Sequence, residues 1–309
     1  ARTVQGLNHA EACADVSTDD AIALGHGATS TAQSAIAIGA GAQTETFSWT
    51  DDYGYTYHTD PVGAAAIGSG AHVEGSGSIA VGQNAAVRGL VVTDHFDDGE
   101  GTVFDLTHAS VPNNAIAMGT SALATGSNSI ALGTFASTNA WYSAEMQQTF
   151  MPRDAIAIGN WAYAGGERAI ALGGFAAADA NASTAIGNEA IAIGIGRTSV
   201  GQGAWASGHA SSAFGQTAEA NGFASTAIGA SSTATNDGST AIGALSSSSG
   251  QMSTAVGGEA SASGDGSFAG GAAAIASGYE SIAIGGNALT ALGDFGIVIG
   301  GTSYALGTG

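Results

Sequence analysis

Short runs in which a large apolar residue alternates with alanine recur along most of the chain. A typical run, Ala-Ile-Ala-Ile-Gly at residues 155–159, is followed two residues later by an alanine-rich run at 162–164. A period of two is typical of β-strands, because successive side chains of a strand point to opposite faces. We therefore predict two short strands in each repeat, separated by corners that contain glycine.

The glycine that closes each run defines the length of the repeat. From Gly159 to Gly285 every step between these anchor glycines is 14 residues, and a step of 15 leads to Gly300. Seventeen such anchors begin at Gly25. A fixed period of this length indicates a solenoid, in which each repeat forms one turn and stacks on the next. The sequence predicts an all-β fold, a parallel β-roll of 14-residue repeats with about 17 turns.

Three steps between anchors are longer and mark insertions at residues 44–60, 90–111 and 139–151. Each insertion is followed at once by a proline, and Pro61, Pro112 and Pro152 are the only prolines in the chain. Proline suits the entry to a strand, because its φ is fixed and it donates no backbone hydrogen bond. Residues 1–20 do not repeat and are predicted to cap the array, which leaves 21–309 as the roll.

The isoleucine face of the first strand is predicted to point into the coil, where each isoleucine stacks on the same residues of the adjacent turns. The alanines of that strand then form an apolar strip on the outside, which seldom stays exposed to water. Small residues allow two chains to approach closely, so identical chains are expected to pack side by side about a symmetry axis. The predicted interface residues are Ala35, Ala37, Ala115, Ala117, Ala155, Ala157, Ala169 and Ala171.

Charge and composition exclude several classes of function. The chain has 25 acidic and 5 basic residues, a net charge of −20, which would repel phosphate backbones and anionic membranes. Nucleic-acid binding is therefore not expected. Cys13 is the single cysteine, which excludes an intrachain disulfide and argues against a thiolate zinc site. No run of eighteen apolar residues occurs, so direct membrane insertion is not expected either.

Aromatic side chains in the insertions are the main candidates for recognition. The first insertion alternates aromatic and polar residues around Asp51 to Gly54, which predicts a β-hairpin. Its aromatic rings either cover the roll or a neighbouring chain, or they contact an extracellular protein or glycan receptor. A second candidate surface is the outward column of the second strands. The candidate ligand-binding residues are Trp49, Tyr53, Tyr55, Tyr57, Trp141, Tyr142, Tyr163 and Trp205.

The second insertion is acidic, and Asp94, Asp97, Asp98 and Glu100 are weak candidates for holding Ca²⁺. Their spacing matches neither an EF-hand loop nor a calcium-binding roll, so a solvated loop is the simpler interpretation. No Ser-His-Asp order, phosphate-binding loop or nucleophilic cysteine stands out. We predict neither an enzyme nor a bound cofactor.

Phrases such as Ser-Ala-Ile-Ala-Ile-Gly at 34–39 and Ser-Ile-Ala-Ile-Gly at 281–285, followed by Gly-x-x-Ala-x-Ala, resemble the head repeats of trimeric autotransporter adhesins, the YadA-like head. The resemblance covers about residues 20–307. It implies a left-handed parallel β-roll in a side-by-side homotrimer. It also implies display on the outer membrane of a Gram-negative bacterium and attachment to host matrix, cells or other surfaces as a virulence factor.

Two features depart from the family pattern. No heptad run that could form the family's stalk occurs, and the three insertions are longer than a plain head needs. A head fragment is therefore expected. A phage tail-fibre or virion spike trimer that borrowed the same roll remains an alternative. A structural or ice-binding solenoid is a further one, against which the irregular outward column argues.

Overall fold

The computed structural model describes residues 15–16, 18, 20–97, 103–143, 148–291, 294–302 and 304–306. All regular elements of these residues are β-strands. The chain divides into two compact units, each of which is described by itself. The first unit comprises residues 1–175 and 179–181, and the second comprises 176–178 and 182–309.

Each turn of the first unit contributes one first strand and one second strand. The first strands are Ile22–Leu24, Ile36–Ile38, Ala65–Ile67, Ile79–Val81, Ile116–Met118, Ile130–Leu132, Ile156–Ile158 and Ile170–Leu172. The second strands are Asp15–Val16, Thr29–Ser30, Gln43–Thr44, His72–Val73, Ala86–Val87, Leu123–Ala124, Ser137–Thr138 and Tyr163–Ala164. Six more strands form three hairpins: Phe47–Thr50 with Thr56–Thr59, Leu90–Asp97 with Val103–Ser110, and Trp141–Ser143 with Gln148–Phe150.

The second unit repeats the same pair of strands without hairpins between its described strands. Its first strands are Thr184–Ile186, Thr198–Val200, Ser212–Phe214, Thr226–Ile228, Thr240–Ile242, Thr254–Val256, Phe268–Gly270, Ile282–Ile284 and Ile297–Ile299. Its second strands are Ala177–Ala178, Ile191–Ala192, Trp205–Ala206, Glu219–Ala220, Thr233–Ala234, Ser247–Ser248, Ser261–Ala262, Ile275–Ala276, Leu289–Ala291 and Tyr304–Leu306.

Like strands of successive turns pair in parallel, in both units. Ile156 lies opposite Ile170 in the first unit, and Thr226 lies opposite Thr240 in the second. The offset of 14 residues between partners equals the sequence repeat. The predicted parallel β-solenoid is confirmed, with about 18 turns in the described chain.

The prediction of which face lies inside was wrong for the first strand. The alanines are the core: Ala35, Ala37, Ala115, Ala117, Ala155, Ala157, Ala169 and Ala171 are each 0% exposed within a single chain. The isoleucines lie on the outside, as at Ile158, which is 39% exposed. The second strand also turns small residues inward, such as Ala164, so the two strands of a turn face each other through methyl groups. A coil this thin leaves no room for isoleucine, and the alanines therefore cannot form an interface between chains.

The anchor glycines are required because the backbone of the next turn lies directly against them. At Gly229 φ is +134°, and a Cβ there would lie 2.4 Å from the carbonyl oxygen of Gly243. Only glycine tolerates both the dihedral angle and the contact. The same relation recurs along each unit, for example between Gly39 and Gly68.

Candidate functional site

The three hairpins leave the roll at the same corner of alternate turns. Each begins after a second strand, which is Gln43–Thr44, Ala86–Val87 or Ser137–Thr138, and returns through Pro61, Pro112 or Pro152. All three prolines are buried. The hairpin predicted for the first insertion is confirmed by antiparallel pairing of Phe47–Thr50 with Thr56–Thr59. The hairpins therefore project from one side of the first unit, and strand Leu90–Asp97 lies beside Gln148–Phe150.

Aromatic rings of the first hairpin form a ladder that starts in the roll and ends in solvent. The ring centroids of Phe47 and Trp49 are 5.5 Å apart, and those of Trp49 and Tyr57 are 5.1 Å apart, both pairs being stacked. Phe47 is buried, and its ring occupies the space where Gly89 has no side chain. Tyr57 is 45% exposed at the outer end. The ladder therefore fixes the direction of the hairpin relative to the roll.

Asp51 organises the tip of this hairpin. Its Oδ1 accepts hydrogen bonds from the backbone N–H groups of Tyr53, at 3.0 Å, and Tyr55, at 2.8 Å. Its Oδ2 accepts one from the Tyr57 hydroxyl at 3.0 Å. This hydrogen bond and the charge of Asp51 raise the pKa of Tyr57, because both disfavour the phenolate. Tyr53 and Tyr55 are left 88% and 67% exposed, held outward by a fixed turn. In the sequence Asp51 stands out only as part of the predicted turn, and no pattern there signals this role.

Tyr163 lies under the start of the third insertion. Its hydroxyl donates to the carbonyl oxygen of Ala140 at 3.3 Å, with that of Asn139 at 3.5 Å. Burial, with the nearby charge of Asp179, raises the pKa of Tyr163 to about 12. The phenol is therefore neutral and holds the insertion to the roll. Its ligand-binding role stays a prediction. Trp141 and Tyr142 stand on strand Trp141–Ser143, and their side chains lie outside what the structure describes.

The 14-residue turns carry a known repeat. They match the YadA head domain repeat at residues 19–42, 62–85, 113–136, 153–176, 164–190, 220–246, 248–274, 271–288 and 276–303, which together are more than half of the chain. The chain belongs to the YadA head family. Among solved structures it is similar to the collagen-binding domain of the Yersinia adhesin YadA, with 22% identity over 55% of this chain and 76% of that chain and a TM-score of 0.30. No curated protein matches it.

This YadA head carries a broad apolar face made by the outward residues of its first strands. In a single chain these side chains are more than one third exposed although they are large and apolar. They are Ile22, Leu24, Ile67, Ile79, Met118 and Ile158 in the first unit, and Ile186, Phe214, Ile228, Ile242, Val256, Ile284, Ile297 and Ile299 in the second. Because they recur on one face of each unit, they form a continuous apolar surface rather than scattered exposed residues.

Two further features of the YadA head concern aromatic residues outside the insertions. Phe135 and Trp161 stack at 4.4 Å at the corner that follows the first strand, 41% and 51% exposed. The periodic pattern of the sequence gives no sign of either ring at this corner. Trp205, 46% exposed, belongs to the second unit, where it lies between Ile191 and Glu219 of the neighbouring turns. It stays a candidate there, separate from Tyr163 of the first unit.

The acidic insertion of the YadA head is described only in part. Asp94 and Asp97 stand on strand Leu90–Asp97, whereas Asp98 and Glu100 lie outside the described residues, as does Cys13. Among the residues that the structure describes, no three His, Cys, Asp or Glu side chains gather where a metal ion could be held. Nor does any helix in that part of the chain have the length and apolar character needed to cross a bilayer.

Proposed function

We propose that the chain is the head of a homotrimeric surface adhesin. Three chains pack through the apolar faces of their first strands, and the insertions of the first unit bind an extracellular protein or glycan. The head lies outside a Gram-negative cell, as is usual for this family. The observation that carries it is a YadA head roll with exposed tyrosines held outward on an insertion.

The apolar face is the argument for association. Its isoleucines stand where a single chain leaves them in water, and a surface of this extent is seldom exposed on a soluble monomer. A closed cyclic assembly lets every copy bury the same face. The alanines, buried inside each chain, are replaced in this role by the outward isoleucines.

Charge on this face is expected to separate the chains. In the double variant Ile67→Glu and Ile158→Glu, carboxylates would be buried without partners in the trimer but remain solvated in one chain. Sedimentation equilibrium should give the mass of three chains for the intact protein and of one chain for the variant. The matched control is Ser137→Glu, at an outward position of a second strand, which should leave the trimer intact. An intact protein with the mass of one chain would contradict the proposal.

Recognition through the insertions is supported by the first hairpin. Tyr53 and Tyr55 offer large contact area, and the hydrogen bonds to Asp51 remove much of the entropy that a free loop would lose on binding. The related Yersinia domain is described as collagen-binding. Collagen is therefore the first matrix protein to test with this chain.

Removing the exposed tyrosines is expected to weaken adhesion. The double variant Tyr53→Ala and Tyr55→Ala should lose about tenfold or more in affinity, because aromatic anchors dominate such contacts. The intact chain and the variant would be applied to immobilised collagen, other matrix proteins, glycans, animal cells and bacterial cells. Phe223→Ala is the control, since Phe223 is an exposed aromatic residue of the second unit, 56% exposed. Replacing residues 44–60, 90–111 and 139–151 by Gly-Ser links extends the test to all three insertions.

The panel also separates this proposal from its rivals. Binding to matrix or animal cells that disappears with the insertions supports the adhesin. Insertion-dependent binding to bacteria alone would contradict it and favour a phage fibre or self-association. Binding that survives removal of all insertions would move the site to the roll, with Trp205 the first residue to change.

A further inference from the structure

A half-open cavity of about 450 Å³ lies in the first unit, where the second and third insertions rejoin the roll. Its apolar wall consists of Ala109, Val111 and Met151. The polar wall consists of Ser127, Asn128, Arg153 and Asp154, from the corner between second and first strands. Ligand sites commonly have this size and this division into an apolar wall and a few polar groups.

Most polar groups of this wall are engaged with each other. The Asn128 side-chain amide donates to Asp154 Oδ1 at 3.0 Å, and the Ser127 hydroxyl donates to the carbonyl oxygen of Val111 at 2.5 Å. The backbone N–H of Asp154 donates to the carbonyl oxygen of Ser127 at 3.0 Å. These bonds fix the shape of the wall. They leave the carbonyl oxygen of the Asn128 side chain available as an acceptor.

The guanidinium of Arg153 is the exception. Its backbone is fixed, since its N–H donates to Met151 and its carbonyl oxygen accepts from the N–H of Arg168, at 2.9 and 2.8 Å. Its side chain, however, makes no hydrogen bond and no ion pair with the part of the chain that the structure describes. Arg168, one turn further along, lies 3.7 Å from Glu167. Arg153 is exposed, and in a chain with 5 basic and 25 acidic residues it brings to this wall of the cavity a cation with no acidic partner among the described residues.

The surroundings of Arg153 restrict the ligand. A guanidinium presents two parallel N–H donors that match a carboxylate. Asp154 and Glu167 nearby would repel a dianion, such as a phosphate monoester, more strongly than a monoanion. Ala109, Val111 and Met151 would contact an apolar C–H face, and Asn128 can accept a hydrogen bond from a hydroxyl group. These features together describe a sugar acid.

We propose that this cavity binds a sugar carboxylate, of the sialic-acid or uronic-acid type, at a terminus or branch of a surface glycan. Arg153 holds the carboxylate, and the wall of Ala109, Val111 and Met151 contacts the ring or its substituents. This inference rests on the proposed adhesin function, to which it adds a chemical class of ligand. The site differs from the tyrosines of the first hairpin.

Titration of the intact chain with small glycosides tests the cavity directly. The probes are the methyl glycosides of N-acetylneuraminic acid, glucuronic acid and glucose. Their binding is measured by calorimetry or ligand-observed NMR. We expect one or both acids to bind in the millimolar range or tighter and the neutral glucoside not to bind. Which acid binds distinguishes a sialylated from a uronic-acid glycan.

Two variants with the same change of charge assign the binding to Arg153. Arg153→Gln should weaken the binding of the sugar acid by about tenfold or more. Arg153→Lys should recover only part of the lost affinity, because an ammonium lacks the planar pair of donors of a guanidinium. Arg168→Gln, one turn away and outside the cavity, should stay within about twofold of the intact chain. Equal losses in Arg153→Gln and Arg168→Gln, equal binding of the neutral glucoside, or no binding of either acid would each overturn the inference.

The adhesion assay on the same preparations separates the two proposals. If insertion-dependent adhesion persists while neither acid binds, the cavity is not a sugar-acid site and the adhesin proposal stands. If adhesion does not depend on the insertions, the proposal that the insertions are the adhesive site fails and the site moves to the roll, whatever the titration gives.

Discussion

Gly229→Ala is expected to unfold the turns around it. The residue sits at φ +134°, and its new Cβ would lie 2.4 Å from the carbonyl oxygen and 2.5 Å from the carbonyl carbon of Gly243. The backbone conformation alone costs about 1–3 kcal/mol for a residue with a side chain. The clash adds to this, because it is with backbone that parallel pairing on both sides holds in place. We expect the free energy of unfolding to fall by about 3 kcal/mol or more. Circular dichroism should show this as a large drop in the midpoint of thermal unfolding.

Gly196→Ala is the matched control in the same unit. Gly196 has φ +66°, and a Cβ there meets nothing within 4 Å. Gly196→Ala should lower the free energy of unfolding by about 1–2 kcal/mol, which is the energy of the left-handed backbone conformation alone. If the two variants unfold at the same temperature, close stacking of the turns is not the reason for the anchor glycines.

Ala157→Leu is the second change with a large expected effect, because it tests which face of the first strand lies inside. Ala157 is 0% exposed and lies between Ala131 and Ala171 of the adjacent turns. A leucine there must push the two strands of the coil apart. Overpacking of this kind lowers the free energy of unfolding by about 1–3 kcal/mol. Because the coil is thin, Ala157→Leu should lie at the upper end of that range.

The control makes the same substitution on the other face. Ala65→Leu lies at an outward position, in register with Ile36 and Ile79, which are already large. It should change the midpoint of thermal unfolding little. The reverse order of stability, with Ala65→Leu the more damaging, would contradict the assignment of the alanines to the core.

The features of the fold that follow from the repeat are predictable from the sequence, and the choice of the inner face is not. The step of 14 residues yields the parallel register directly, since Ile156 and Ile170 occupy the same position of successive repeats and pair with each other. The prolines likewise mark where each insertion returns. Alternation, by contrast, separates two faces without saying which is inside. The usual rule that large apolar residues lie inside fails here, because the inward positions of the coil hold mostly alanine and nothing larger than valine or threonine, such as Val73 and Thr44.

The candidate site was predictable by location and not by geometry. The aromatic spacing around residues 51–54 predicts a hairpin, and the hairpin is present. The role of Asp51 depends on three donors converging on one carboxylate, which no periodic pattern encodes. The stacking of Phe135 on Trp161 joins residues 26 positions apart across an insertion, so neither residue looks special in its own repeat. That the guanidinium of Arg153 has no bonding partner among the described residues becomes visible only once its neighbours are known to be engaged with each other.

Because of the way the hairpins are attached, the length of the roll and the surface that its hairpins present can vary independently. Each excursion starts after a second strand whose last residue is buried and ends at a buried proline. The turns before and after it therefore keep their parallel pairing, as Ala86 does with Leu123 across the longest one. That corner is therefore a natural grafting point. Foreign hairpins or epitopes could replace the native excursions while the scaffold beneath keeps its register, which makes the first unit a ready-made frame for multivalent display.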